Sequence, residues 1–402
     1  MHEQRPLRQA EQEAGATFMA YGPPVEERTI EIAQDYGAYE AEYAAIRQRV
    51  GVMHLPQRGI LRLTGSEADR RQFLHRMLTQ DLSSMTGGAT RRAFQLNEKG
   101  RIVADVLVHH GQADTWLELD RVDLPLLREL LEARLFTEDV SLEDFADQRV
   151  ALALHGPAAQ ALLEQLADEG GDAVAAAVDA PGTHHVLRLA GVPVTVYRRD
   201  DAGSLGLHLW VLAQEAERVY QRLLEAAGFD PRQEAELSEG YAKQRRQGLR
   251  GRPVGWLAYN TARIEAGTPI FHIDFGRDSL PAETGVLEEA VSFTKGCYVG
   301  QEIVARMKHL GHPRRVLVGL RFEGEELPVA GAQVFAVDAD GQALADQVVG
   351  GITSSTISPM LGQRAIAFAV VQWGRHQPGT TLAASAQGGI SLGQVQALRF
   401  LS

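Results

Sequence analysis

Apolar residues recur along this chain at helical spacing in some stretches and alternate in others, so both α and β elements are predicted. Residues up to about Pro24 read as a loosely ordered lead-in. Glu40 to Val50 carries Tyr43, Ile46, Arg47 and Val50 at helical spacing, which predicts a helix. Ile60 to Leu63 reads as a strand ending at Thr64-Gly65, and Ser66 is placed to cap a helix striped by Phe73, Leu74, Met77 and Leu78. Arg91–Leu96 and Ile102–His109 read as paired strands joined by the turn sequence Asn97-Glu-Lys-Gly100. Leu124 to Leu135 is a leucine-striped helix.

A second block starts near residue 149. Val150–Leu154 is a strand, and His155-Gly-Pro-Ala opens a helix with proline in its first turn. Val194–Tyr197 and Leu205–Leu212 are further strands. Ala216, Val219, Tyr220, Leu223, Leu224 and Ala227 then form an amphipathic stripe that stops at Gly228, a suitable residue just past a helix end. Arg232 to Arg252 is charged and reads as exposed. From Arg315 the texture changes to short strands separated by turns: Arg315–Phe322, Val334–Val337, Gln347–Ile352, Ile366–Val371 and Gln394–Leu401. That is the pattern of a small antiparallel barrel or sandwich. The layout implies an α+β chain with a region 1–314, divided near 149, and a C-terminal β domain at 315–402.

Composition narrows the function. With 402 residues, two or three compact units are expected. The net charge of −12 argues against a nucleic-acid partner, which needs a basic footprint. A single cysteine excludes an intrachain disulfide and a multi-cysteine zinc or iron–sulfur site. The N-terminal residues contain acidic groups and no apolar core, so neither a secretory signal nor a transit peptide is read there. No apolar run approaches the roughly 20 residues that span a bilayer, so no membrane association is expected and the default location is cytoplasmic.

The candidate chemistry centres on Lys295-Gly-Cys-Tyr-Val-Gly-Gln-Glu302. Cys297 lies between a lysine and a helix-like run, and both favour a thiolate. The alternative is a small buried hydrophobe. Asp105 lies in Ile102-Val-Ala-Asp-Val-Leu-Val108, apolar on both faces, and alternation sets it with Val103, Leu107 and His109. Such a carboxylate needs a partner, either a ligand with N–H groups or a backbone amide or neighbouring arginine. Arg263 can clamp a carboxylate or heterocycle edge, or form an ion pair, for instance with Glu265. The adjacent pairs His109-His110 and His184-His185 point to opposite strand faces and chelate poorly, and no metal site is expected. Arg306, Lys308, Arg314 and Arg315 form a basic stretch that could meet an acidic partner or simply face solvent.

The Lys-Gly-Cys-Tyr-x-Gly-Gln-Glu motif resembles the signature of the YgfZ family of folate-binding iron–sulfur maintenance proteins, a branch of the glycine-cleavage T-protein superfamily. Further segments resemble the superfamily in order: Gly51-Val-Met-His-Leu-Pro-Gln-Arg-Gly-Ile, Leu96-Asn-Glu-Lys-Gly-Arg-Ile-Val-Ala-Asp105, Arg263-Ile-Glu-Ala-Gly267, and Gly351-Ile-Thr-Ser-Ser-Thr-Ile-Ser-Pro-Met-Leu-Gly362. The resemblance implies a three-lobed, cloverleaf-like fold with a C-terminal antiparallel β-barrel. It also implies that tetrahydrofolate or a one-carbon derivative is bound. Asp105, Arg263 and His208 would then contact the folate, with Lys295, Tyr298 and Gln301 of the motif beside it. Cys297 would be the reactive thiol and Asp105 the orienting carboxylate.

Three readings follow from these residues. The first is a folate-binding protein that supports assembly or repair of iron–sulfur client proteins through Cys297. The second is a tetrahydrofolate-dependent aminomethyltransferase or demethylase, served by an acidic lipoyl carrier protein. The third is an interaction module without a ligand. Three departures count against the transferase: Ala104 replaces one of two tandem aspartates, His208 stands where the T-protein has a pterin-holding glutamate, and no counterpart of a folate-binding arginine follows Pro378.

Overall fold

A computed structural model describes residues 7–22, 29–230, 249–324, 326–386 and 388–401. The chain divides into two units, residues 1–70, 85–91 and 107–259 in the first and residues 71–84, 92–106 and 260–402 in the second. The predicted exposed stretch Arg232–Arg252 lies mostly outside the described residues.

In the first unit, β1 (Thr17–Tyr21) pairs antiparallel with β2 (Ile30–Asp35). The lead-in is therefore ordered from residue 7. Leu7 is fully buried and the helix Arg8–Glu13 follows, because Leu7, Ala10 and Ala14 give it an apolar side that joins the main core. Next come β3 (Gly51–His54), β4 (Arg58–Gly65), β5 (Ala89–Leu96), β6 (Ile102–His110), β7 (Thr115–Asp120) and β8 (Val140–Asp144). After these lie β9 (Arg149–His155), β10 (His184–Leu189), β11 (Val192–Arg198), β12 (Gly206–Leu212) and β13 (Arg252–Pro253). The larger sheet runs β10-β11-β12-β9-β3-β13, and the other runs β5-β6-β7-β4-β8. The unit boundary falls inside β5 and β6, whose residues 92–96 and 102–106 belong to the second unit.

Strand alternation sorts the larger sheet into two chemically different faces. Val150, Leu152 and Leu154 of β9, Val192, Val194 and Val196 of β11, and Leu207, Leu209 and Val211 of β12 share one core. The helices Ala159–Leu166, Gly171–Asp179 and Ala213–Ala227 supply its other half. All six stripe residues of Ala213–Ala227 are buried, and Gly228 ends it in the left-handed conformation at φ 80°. Alternation leaves His155, Tyr197, His208 and Trp210 on the opposite face.

Three helices stop or start short of the prediction: the helix predicted to Val50 ends at Gln48. The helix after β9 begins at Ala159, two residues past Pro157, and the leucine-striped helix ends at Glu132. Ser66 does cap the helix Glu67–Met77, its Oγ accepting from Asp69 N at 3.4 Å.

In the second unit, β14 (Arg315–Phe322), β15 (Gln333–Val337), β16 (Ala343–Ser358), β17 (Arg364–Gln372), β18 (Thr381–Ala386) and β19 (Gly389–Gln396) close an antiparallel barrel in the order β14-β17-β16-β15-β18-β19. Val318, Leu320 and Phe322 fill it from β14, with Ala365, Ala367 and Ala369 from β17. Gln347–Ile352 proves to be the middle of a longer strand that bulges between Ile352 and Ser354. β18, in which only small residues follow Leu382, has no counterpart among the predicted strands. The predicted strand Gln394–Leu401 stops at Gln396, because the chain leaves the ladder there and Phe400 N donates instead to Glu265 O at 3.0 Å. No helix among the described residues is long and apolar enough to cross a membrane.

Candidate functional site

Six of the seven residues singled out in the sequence fall in the second unit, and His208 falls in the first. Asp105 rides on β6, directly after the turn Asn97–Gly100. Asn97 Oδ1 accepts from the N–H groups of Lys99 and Arg101, both at 3.0 Å, and Gly100 takes φ +70°, so the turn is built by the residues that predicted it. Both carboxylate oxygens of Asp105 accept from Arg92 of β5, Nε at 2.9 Å and Nη2 at 2.6 Å. Arg92 Nη1 also donates to Glu289 at 3.0 Å. The Asp105 side chain is 15% exposed and that of Arg92 6%, so this two-pronged pair is largely dry yet reaches the surface. Of the two sequence-level partners for Asp105, the neighbouring arginine is present, and it is Arg92.

Lys295 Nζ donates to the carbonyl oxygens of His75, Leu78 and Gln80, at and just beyond the end of the helix Glu67–Met77. A cation there meets orphan carbonyls and the negative end of the helix dipole. Burial pushes this ammonium down to about 8, against the pull of Asp81. Gly300 starts the helix Gln301–Leu310 at φ +81°. Tyr298 N donates to Gln301 Oε1 at 3.3 Å, and Gln301 N returns a bond to Tyr298 O at 3.2 Å. The Tyr298 ring packs against the apolar cluster that includes Phe94 and Leu96, and burial lifts its hydroxyl to about 12. Cys297 is exposed on this braced loop.

Two glycines lock the loop to the β5–β6 turn. A Cβ on Gly300 would lie 2.7 Å from Asn97 O, and one on Gly100 would lie 2.8 Å from Ile303 Cβ. Both have positive φ, so neither position accepts a side chain readily.

Arg263 is fully enclosed. Its Nε donates to Asn260 at 2.9 Å, Nη1 to Thr268 O at 3.0 Å and Asp274 at 2.7 Å, and Nη2 to Ser354 at 2.7 Å. Arg263 and Asp274 side chains are both 0% exposed. Four of its five N–H groups are thus spent inside the protein. Glu265, its suggested partner, accepts from Ser358. The β16 bulge is what turns Ser354 toward this ion pair.

In the first unit His208 faces its register partner Tyr197, with ring centroids 5.2 Å apart, and His155 lies 5.7 Å away edge-on. Tyr197 OH and Trp210 Nε1 donate to Glu118 Oε2 at 2.6 and 2.9 Å, and His109 Nε2 lies 3.1 Å from it. Arg58 Nε donates to the other oxygen at 3.0 Å. Burial pushes Glu118 up, but Arg58 and the His109 bond outweigh it and hold the carboxyl well below its usual range. Burial lowers His208 to about 4, against Asp201, and His155 to about 3. Both imidazoles are neutral at pH 7. His155 Nδ1 and Nε2 and His208 Nε2 have no hydrogen-bond partner among the described residues.

Sequence reasoning missed Arg92, His155, Tyr197 and Glu118. Alternation from Leu154 and Leu207 would have put His155 and His208 on the sheet's other face. Glu118 and Arg92 carried no such signal. Among the described residues no group of three or more His, Cys, Asp or Glu could hold a metal ion.

Residues 8–234 match the GCVT N-terminal domain, and residues 315–400 match the glycine cleavage T-protein C-terminal barrel domain. The aminomethyltransferase of Streptomyces avermitilis is 29% identical over 349 residues, covering 86% of this chain and 84% of the relative. That of Corynebacterium jeikeium is 27% identical over 383 residues, 91% of each chain. The crystal structure of glycine cleavage system aminomethyltransferase T from Bartonella henselae shares the fold with a TM-score of 0.77 at 21% identity, covering 98% of this chain and 97% of that one.

Proposed function

The chain belongs to the glycine-cleavage T-protein family, and we propose that it binds a tetrahydrofolate and moves a one-carbon unit on it, as relatives named aminomethyltransferases suggest. One observation carries this reading: Asp105, the carboxylate implied to orient folate, is held in fixed geometry by Arg92 in a nearly dry setting that still reaches the surface. An ionised carboxylate only accepts hydrogen bonds, which suits it to a ligand edge bearing N–H groups. When bound, tetrahydrofolate supplies the nitrogens that carry the one-carbon unit. The chain's own residues orient and brace: Asp105 accepts ligand N–H groups, Arg92 fixes Asp105, and Lys295 fixes the loop beside the turn. On this reading Arg263 supports the barrel and the helix Trp256–Ala266 through Asp274 and Ser354, and Arg92 takes the part of the site guanidinium. Residues 1–314 would form the folate-binding region and 315–402 the barrel domain, with a lipoyl carrier as a candidate partner.

Cys297 favours a second reading, the YgfZ-type role in iron–sulfur maintenance. Its thiol is exposed on a loop shaped by Lys295, Gly300 and Gln301, and nothing in the transferase reading uses it.

Anaerobic calorimetric titration with tetrahydrofolate tests the first step. Binding by the wild type that weakens in Asp105→Ala and in Arg92→Met supports the site, and a one-carbon transfer assay then separates the two readings. A folded wild type that does not bind tetrahydrofolate refutes both and leaves a ligand-free interaction module.

A further inference from the structure

A concave site lies in the second unit, lined by residues between Leu280 and Lys308. Its cavity volume is about 100 Å³. Leu280 and Pro281 form one wall and Leu287 another. Phe293 forms part of the lining, and Ile303, Val304 and Met307 project from the helix Gln301–Leu310. That volume is on the scale of an apolar cavity that takes a single aromatic ring, roughly 150 Å³, and a lining this apolar is where such a ligand loses most of its hydration.

Two charged groups stand at the site. Lys308 Nζ lies 3.3 Å from the Phe293 ring centroid, so its stem covers the lining and its ammonium is held over the ring. Glu288 approaches it only to 4.0 Å, and its side chain is 79% exposed against 38% for Lys308. An exposed carboxylate at that distance is a weak partner that solvent readily replaces. The fixed polar feature is therefore the ammonium, at one end of an apolar cleft.

We propose that this cleft binds a small amphipathic carboxylate, an aromatic or branched aliphatic body seated on Ile303, Val304 and Met307 with its anionic head at Lys308. Glu288 swings outward when the ligand's carboxylate takes its place. The helix that lines the cleft begins four residues after Cys297, so an occupant would bear on the element that follows the thiol loop. The inference does not depend on the folate reading, since none of these residues belongs to that site.

The test uses the full chain and two probes of one shape, 3-phenylpropionate and its uncharged amide, titrated by calorimetry. Binding is also read from the methyl NMR signal of Met307, labelled with 13C and assigned with Met307→Leu. The carboxylate is expected to bind with a dissociation constant of order 1 mM, in keeping with so few heavy atoms. The amide should bind about four-fold more weakly, which is what a half-exposed ion pair contributes. Lys308→Met should bring the two probes level, and Met307→Trp should fill the cleft and abolish both, with the circular dichroism of each variant unchanged. Equal binding of acid and amide to the wild type would overturn the proposal in favour of a purely apolar occupant such as a partner's side chain. Binding that survives Met307→Trp, or no binding and no Met307 shift with either probe, would also overturn it.

Discussion

Replacing His155 by phenylalanine should make the protein less sensitive to acid. His155 is buried and its imidazole is lowered to about 3 from an ordinary 6.5, and its neighbour His208 is lowered to about 4. A depressed folded-state value means that the unfolded chain takes up the proton first. The stability tied to each ring is therefore fully present above pH 6.5 and is lost as pH falls toward the folded value. At 1.36 kcal/mol per unit, His155 accounts for about 5 kcal/mol and His208 for about 3 kcal/mol between those limits. A typical domain has only about 5–15 kcal/mol in all, so acid unfolding should set in well above pH 4. Urea unfolding at intervals from pH 8 to 4.5, followed by tryptophan fluorescence, should show stability falling below pH 6 by about 2.7 kcal/mol per unit from these two rings. His155→Phe should remove half of that slope. It also deletes two buried nitrogens that have no partner among the described residues, so stability at pH 8 should stay level or rise by about 1–3 kcal/mol. An unchanged slope would refute the reasoning, because His155 would then titrate as a solvated group. A loss above about 2 kcal/mol at pH 8 would refute it differently, by showing that the nitrogens are hydrogen-bonded.

Arg263→Met leaves Asp274 buried without its counter-charge and should cost about 3–5 kcal/mol, read as a lowered Tm. Lys295→Met strips the cation from the carbonyls that end the helix Glu67–Met77 and should cost about 1–2 kcal/mol in urea, with no loss pointing to water as an equal cap. Cys297 should react with iodoacetamide in the native state as fast as in urea, and strong protection would contradict its exposure. Cys297→Ala should fold normally yet fail to rescue iron–sulfur enzyme activity in cells lacking the native homologue, and full rescue would remove the thiol from the second reading.

The sequence showed most clearly what is written locally. The turn Asn97–Gly100, the stripe ending at Gly228 and the strand Arg315–Phe322 each contain the residues that make them. Boundaries were lost where tertiary bonds decide them: Gln396 ends β19 because Phe400 turns to Glu265. The lead-in looked polar, and only the companions of Leu7 in the core reveal its helix. At the candidate site the family motif picked out Asp105 and the Cys297 loop, but partner identities were invisible. Arg92 is 13 positions from Asp105, and Asp274 is 11 from Arg263, distances over which strand pairing and turns, rather than sequence spacing, choose the contact.

The paired glycines also set an order of events during synthesis. Gly100 lies in a hairpin that can close on its own within microseconds. Its counterpart Gly300 comes 200 positions later, and at ribosomal speed that is a wait of about 10–40 seconds. Throughout that interval the hairpin is complete but the thiol loop does not exist. The geometry around Cys297 is thus acquired well after the hairpin, so a chain stalled before Gly300 would contain Asp105 and its partner Arg92 without the braced thiol loop.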